Sequence, residues 1–354
     1  MISGSAFAED KKADRDQEPG FTIGGRIHGL WEVTDLADKP ANEFSIGMAR
    51  LTVRWSYSKL LEAKLQGEFS KLFKSSSPRS LLRDAWVRIA PVKWLRFKLG
   101  QFKRPFSSLE LRSRGQLAVI RRGDANGFLV EDLGFGDRDL GLGIDGRFGK
   151  RKRGFSYSLA LVNGTGKNLS ETDLNGSKDV VARIVGKPAK WLSMGAGASI
   201  KFFDKASVEY YPGWAWMAGA DLQIKKQGFR LLAEGLVGDN YDRCSYASDP
   251  NSCRELNQDP AIPRTWSLVL LTSYKANLSK RMNLKLQPVL KGELWTPDHK
   301  LVDGKIMAMT VGLNLFVTRY ARVMVHGEFI VPQKNVPSQW PRENRMLVQM
   351  AFDI

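Results

Sequence analysis

Between Lys103 and Arg122 the chain gathers Lys103, Arg104, Arg112, Arg114, Arg121 and Arg122, with Glu110 the only acid among them. A guanidinium presents a planar fork that donates two parallel hydrogen bonds to a phosphate or carboxylate, so such a cluster is suited to holding small oxyanions. Ser107, Ser108 and Ser113 add neutral hydroxyl donors to the same stretch. The bland alternative is an ordinary basic surface loop. Which reading holds depends on where the surrounding elements put these residues.

The rest of the chain offers little other chemistry. Gly141-Leu-Gly143-Ile-Asp-Gly146 matches the GxGxxG pattern, but it lies in an alternating run with no helix after it to face a dinucleotide. His28, His299 and His326 lack ligand spacing, and neither CxxC nor HExxH occurs, so no metal, no cofactor and no catalytic residue is expected. Cys244 and Cys253 share the polar segment RCSYASDPNSCR. A disulfide closing that short ring suits an oxidising compartment, and two free thiols are the alternative.

The formal net charge is +17 over 354 residues, and the basic residues recur in nearly every segment rather than in one patch or tail. That spread argues for small anions or lipid headgroups as partners and against nucleic acid.

The elements that must position the basic cluster are strands. From Asp139 to Phe148, Leu140, Leu142, Ile144 and Phe148 fall on one face, with Asp139, Asp145 and Arg147 on the other. Alternation of this kind marks a strand with one apolar and one polar side. The same rhythm gives sixteen runs, near 21–34, 43–56, 60–70, 80–90, 95–102, 138–148, 154–163 and 178–187 in the first half. In the second half they lie near 191–202, 214–226, 228–238, 264–275, 281–293, 304–316, 320–331 and 344–354.

Short connectors alternate with long ones (103–137, 164–177, 203–213, 239–263, 294–303 and 332–343). Trp55, Tyr57, Trp94, Trp191, Trp214, Trp266 and Tyr274 gather near strand ends, as an interfacial girdle would. No window holds about eighteen uncharged apolar residues, whereas a membrane-spanning strand needs only about ten with alternate apolar positions. The expected fold is therefore an all-β, 16-stranded antiparallel transmembrane β-barrel in a bacterial outer membrane. Short turns would face the periplasm and long loops the outside. A soluble sandwich is the structural rival, but it uses Greek-key crossings rather than consecutive hairpins.

With apolar faces outward, Arg50, Arg54, Lys64, Arg88, Arg96, Lys98, Arg147 and Lys201 would form a basic wall inside. The barrel is expected over 21–354, after a tail at 1–20. Ala6-Phe7-Ala8 in that tail resembles a signal-peptide cleavage site without the preceding charged and apolar regions.

From Arg83 onward, RDAWVRIAPVKWLRFKLGQFKRPFSSLELRSRGQLAVIRR, then DLGLGIDGRFG and FSYSLALVNGTG, resemble the phosphate-selective porin O/P family. MARLTVRW resembles that family's arginine-bearing second strand. The resemblance implies a homotrimer of sixteen-stranded barrels, embedded in outer-membrane lipid and lipopolysaccharide, whose third long loop folds into the lumen and narrows it. Passive diffusion of small hydrophilic solutes, biased toward anions such as phosphate, is the implied function. Against the family pattern, Glu110 falls where a lysine is expected and Ser113-Arg114 where paired serines are expected, while Arg122 matches a retained arginine. That departure puts phosphate specificity in question more than anion preference. Two alternatives remain. One is a general or carbohydrate-specific diffusion porin, and the other a closed barrel serving as scaffold, adhesin or enzyme.

Overall fold

The computed structural model describes residues 19–35, 41–70, 81–150, 153–164, 176–203, 213–241, 264–279, 281–298, 304–332 and 343–353. Cys244, Cys253 and the expected tail up to Glu18 lie outside the described residues.

Alternating apolar positions build strands β1 (Gly20–Thr34), β2 (Ala41–Tyr57), β3 (Leu61–Glu68), β4 (Leu82–Val92), β5 (Leu95–Lys103) and β6 (Arg138–Lys150). They continue with β7 (Arg153–Val162), β8 (Asp179–Ala189), β9 (Leu192–Phe202), β10 (Trp214–Lys226), β11 (Phe229–Asp239) and β12 (Arg264–Tyr274). After the short β13 (Ala276–Ser279) come β14 (Leu284–Thr296), β15 (Ile306–Phe316), β16 (Ala321–Pro332) and β17 (Arg345–Asp353). Each strand pairs antiparallel with its sequence neighbours, and β1 pairs with both β2 and β17, which closes the cylinder. Because β12 and β13 both pair with β14, they form one interrupted strand, and the closed barrel has sixteen staves. The run expected over 281–293 is thereby displaced, since its first residues belong to the turn before β14.

Tight turns join the strands at one end. Gln227 and Gly228 both have positive φ (50° and 88°), the backbone that a two-residue hairpin turn requires to match strand twist. The outer face is apolar. Phe21, Phe44, Leu99, Met194 and Met350 are among its exposed residues, and Tyr57, Trp94, Trp191, Trp214 and Tyr274 are exposed near strand ends. A surface of this kind is stable against lipid and not against water. No helix among the described residues is long and apolar enough to cross a membrane.

The inner face is not uniformly polar. Met217 on β10, Leu232 on β11, Val269 and Leu271 on β12, Val289 and Trp295 on β14 and Ile330 on β16 are buried together with Phe106, Leu109, Leu117, Val119, Leu129 and Phe135 of the loop after β5. Each large side chain so enclosed stabilises the packing by roughly 1.5–3 kcal/mol relative to exposure. This loop therefore lines one side of the barrel interior, against β10–β16. The inner faces of β2–β6 carry Arg50, Arg54, Lys64, Arg88, Arg96, Lys98 and Arg147.

Candidate functional site

The loop from Arg104 to Asp137 is built from short turns. A helix, α1 (Ser108–Leu111), begins at Ser107, whose Oγ accepts from the Glu110 amide at 3.0 Å and caps it. A second single turn, α2 (Asp124–Asn126), runs into a wider helical turn, Gly127–Asp132. Neither turn is long enough to hold itself in place, and wall residues supply the missing partners. On β11, Glu234 accepts from Ser107 Oγ at 2.7 Å and from the Leu109 amide at 3.1 Å, as well as from the Ser108 amide. Glu293 on β14 accepts from the Ala125 amide at 3.3 Å and is paired with Lys291 at 2.6 Å.

Further along, Arg322 donates to the Leu117 and Gly115 carbonyls, each at 2.8 Å, and Asn314 donates to the Ala118 carbonyl at 2.7 Å. His326 Nδ1 accepts from the Ile120 amide at 3.4 Å, with Nε2 2.9 Å from Asn314 Oδ1. The loop is thus fixed to β11 and β14–β16 by buried polar contacts, which low local dielectric strengthens.

The basic residues singled out from the sequence separate into two groups. Arg104 is fully enclosed, with Nη2 2.5 Å from Asp139 and 2.7 Å from Asp179, and shows no surface to the lumen. Lys201 sits beside it, 3.4 Å from Asp179 and donating to the Gly164 carbonyl at 3.0 Å. Arg122 folds the loop on itself, donating to the carbonyls of Leu109, Glu110 and Arg112 while standing 3.2 Å from the Glu110 carboxylate and 3.3 Å from Glu131. Lys103 pairs with Glu110 at 2.8 Å, and Arg121 donates to both Glu32 oxygens at 2.7 Å. Burial would push the Glu110 carboxyl up, but Lys103 and Arg122 hold it down at about 2. These cations hold the loop together.

Arg112 and Arg114 differ. Arg112 donates to Gln223 and pairs with no carboxylate among the described residues, and Arg114 is 46% exposed with Glu131 no nearer than 3.9 Å. Ser113 between them accepts from Arg26. On the opposite wall, Arg50 pairs with Glu68 at 2.7 Å, while Lys64 pairs with Asp84, Arg88 with Glu62 and Arg96 with Asp145. Arg54 and Arg147 make no ion pair among the described residues. Lys98 lies 5.1 Å from the ring centroids of both Trp86 and Phe102, also without a carboxylate within ion-pair distance among the described residues.

Sequence periodicity misses Arg83 and Arg138. Arg83 falls where the β3–β4 register slips between Gln66 and Gly67, and this bulge turns it toward Asp137, 3.7 Å away. Arg138 bonds Asp84 at 2.6 Å and Asp137 at 3.1 Å. Strict alternation would put Arg83 outside, and no signal in the sequence marks the bulge.

A family model described as phosphate-selective porin O and P matches residues 21–231. Among solved structures, an anion-selective porin from Comamonas acidovorans aligns with 13% identity and a TM-score of 0.65, covering 95% of this chain and all of that one. OmpF of Salmonella typhi aligns with 12% identity and a TM-score of 0.67, over 94% of this chain and 97% of that one. The trimer form of Vibrio cholerae OmpT aligns with 9% identity and a TM-score of 0.63, over 96% and 100%. No curated sequence matches significantly.

Proposed function

Because the chain belongs to the phosphate-selective porin O and P family and forms a bacterial outer-membrane channel, we propose that it carries small hydrophilic solutes passively, with a preference for anions. One observation carries this reading. Lys103, Arg104, Arg122, Arg50, Lys64, Arg88 and Arg96 are each paired with a carboxylate, whereas Arg54, Lys98, Arg112 and Arg147 make no ion pair among the described residues and Arg114 meets Glu131 only at 3.9 Å. In a narrow passage with low-dielectric walls, unpaired wall charge decides which ion enters.

Phosphate is among the anions such a passage favours. Glu110 occupies the position of an expected lysine, yet it is 1% exposed and neutralised by Lys103 and Arg122, so it does not repel an anion in transit. A homotrimer set in outer-membrane lipid and lipopolysaccharide accords with the family, and with the trimer form of the Vibrio OmpT relative.

The test is the reversal potential across a planar bilayer in a potassium chloride gradient. Chloride preference supports the assignment, and potassium preference refutes it. The paired wall charges favour one other reading, a general diffusion channel with balanced charge, for which the reversal potential would stay near zero.

A further inference from the structure

A cavity of about 320 Å³ opens between the root of the loop and the wall of β4–β8. Its lining is of two kinds. Arg88, Arg96, Lys103 and Arg183 reach it, but each is paired with a carboxylate: Glu62, Asp145, Glu110 and Asp221 respectively. Among the described residues Lys98 is the lining cation with no such partner, and Ser156 and Ser158, further along the wall on β7, also line the cavity. The anionic capacity of the cavity is therefore about one charge, served by the Lys98 ammonium.

The remainder of the lining is apolar. Pro105 and Leu111 from the loop and Val185 on β8 face the cavity half-buried. Phe102 lies across Gly143, where a Cβ would come within 3.2 Å of the ring, so the missing side chain lets the ring settle beside Lys98. The Gly141–Gly146 pattern that is no nucleotide motif thus has a packing role at this position.

A chloride or phosphate ion keeps its water and gains nothing from prolyl, leucyl and valyl surface, whereas the non-polar part of an organic acid does. Resting on the anion preference proposed above, we infer that this cavity is a subsite for small monocarboxylates that carry an apolar body. The carboxylate is held by Lys98, and the body lies against Leu111, Pro105 and Val185. Covering the equivalent of about two methylene groups in this way is worth roughly tenfold in affinity.

The experiment is block of single-channel chloride current in planar bilayers by benzoate, acetate, inorganic phosphate and neutral benzyl alcohol. Benzoate should reach half-block at roughly one-tenth the concentration of acetate or phosphate, and benzyl alcohol should not block at that concentration. Lys98→Gln should remove benzoate block. Leu111→Ser should bring benzoate to the level of acetate while leaving acetate block intact. Equal block by benzoate and acetate, stronger block by phosphate, or block by benzyl alcohol would each overturn the inference. The reversal potential measured on the same channels separates the two readings. A chloride-preferring channel without benzoate selectivity defeats the subsite alone, whereas a potassium-preferring one defeats the anion assignment.

Discussion

Arg112 and Ser113 are successive residues whose side chains are tied to opposite sides of the barrel. Arg112 donates to Gln223 on β10, and Ser113 accepts from Arg26 on β1. The loop therefore crosses the interior at this point. Strands β2–β8 stand on one side of the crossing, and the packed bulk of the loop stands on the other. The width of the passage is set by how firmly the crossing is held.

Glu234 is the carboxylate that holds the start of α1. Glu234→Ala leaves two backbone amides and the Ser107 hydroxyl without their acceptor, a loss of about 1–3 kcal/mol for each buried group left unpaired. Single-channel recording should show a larger and noisier open current than in the parent. An unchanged, quiet conductance would mean that Glu234 does not hold the loop.

Arg104 and Arg114 should behave oppositely. Arg104→Ala removes the buried cation that two enclosed carboxylates, Asp139 and Asp179, share, and should cost on the order of 3–5 kcal/mol, seen as a lowered unfolding temperature in detergent. Arg114→Ala touches a half-exposed side chain and should leave that temperature within a few degrees, while moving the reversal potential toward zero. An unchanged selectivity in Arg114→Ala would contradict the role given to the cations that face the passage.

Gly123 has a φ of +116°, and an added Cβ would fall 2.0 Å from a Glu293 oxygen. The Glu293 carboxylate is held by Lys291 and the Ala125 amide, so it has little freedom to yield. Gly123→Ala should cost about 1–3 kcal/mol and loosen the second half of the loop. Faster hydrogen exchange over 115–132, with the strand amides unaffected, is the expected signature.

Acidity should tune selectivity through Glu131. Burial and the neighbouring Glu110 raise its pKa above the ordinary carboxylate range, against the pull of Arg114 and Arg122. Its ionised form is thus the strained one, and as pH falls through the raised value the loop gains stability and loses a negative charge beside Arg114. Glu110 has the reverse sign. Its contribution is complete above the ordinary carboxylate pKa of about 4.3 and fades only as pH drops toward about 2. Chloride preference should therefore rise on acidification while the loop stays docked. Glu131→Gln should show the higher preference already at neutral pH, with a flatter pH profile, and an identical profile in both proteins would refute the assignment.

The sequence by itself determined the barrel. A two-residue period leaves one face of each strand apolar, as in the run from Leu140 to Phe148, and the succession of hairpins, rather than the period itself, points to a closed barrel over a sandwich. Short and long connectors then distinguish the two ends of the cylinder. The same period is weaker over Phe229–Asp239 and Arg264–Tyr274, because both faces there are apolar, one exposed on the outer wall and one packed under the loop.

What only the tertiary structure decided is which charges remain free. Arg104 and Arg114 are alike as letters ten residues apart, yet one is sealed between two aspartates and the other opens on the passage. Ion pairing depends on partners brought from distant strands, Asp179 for Arg104 and Glu32 for Arg121, and on a bulge that turns Arg83 inward. Spacing along the chain carries no record of those meetings, because they are made by closing the cylinder and packing a loop inside it.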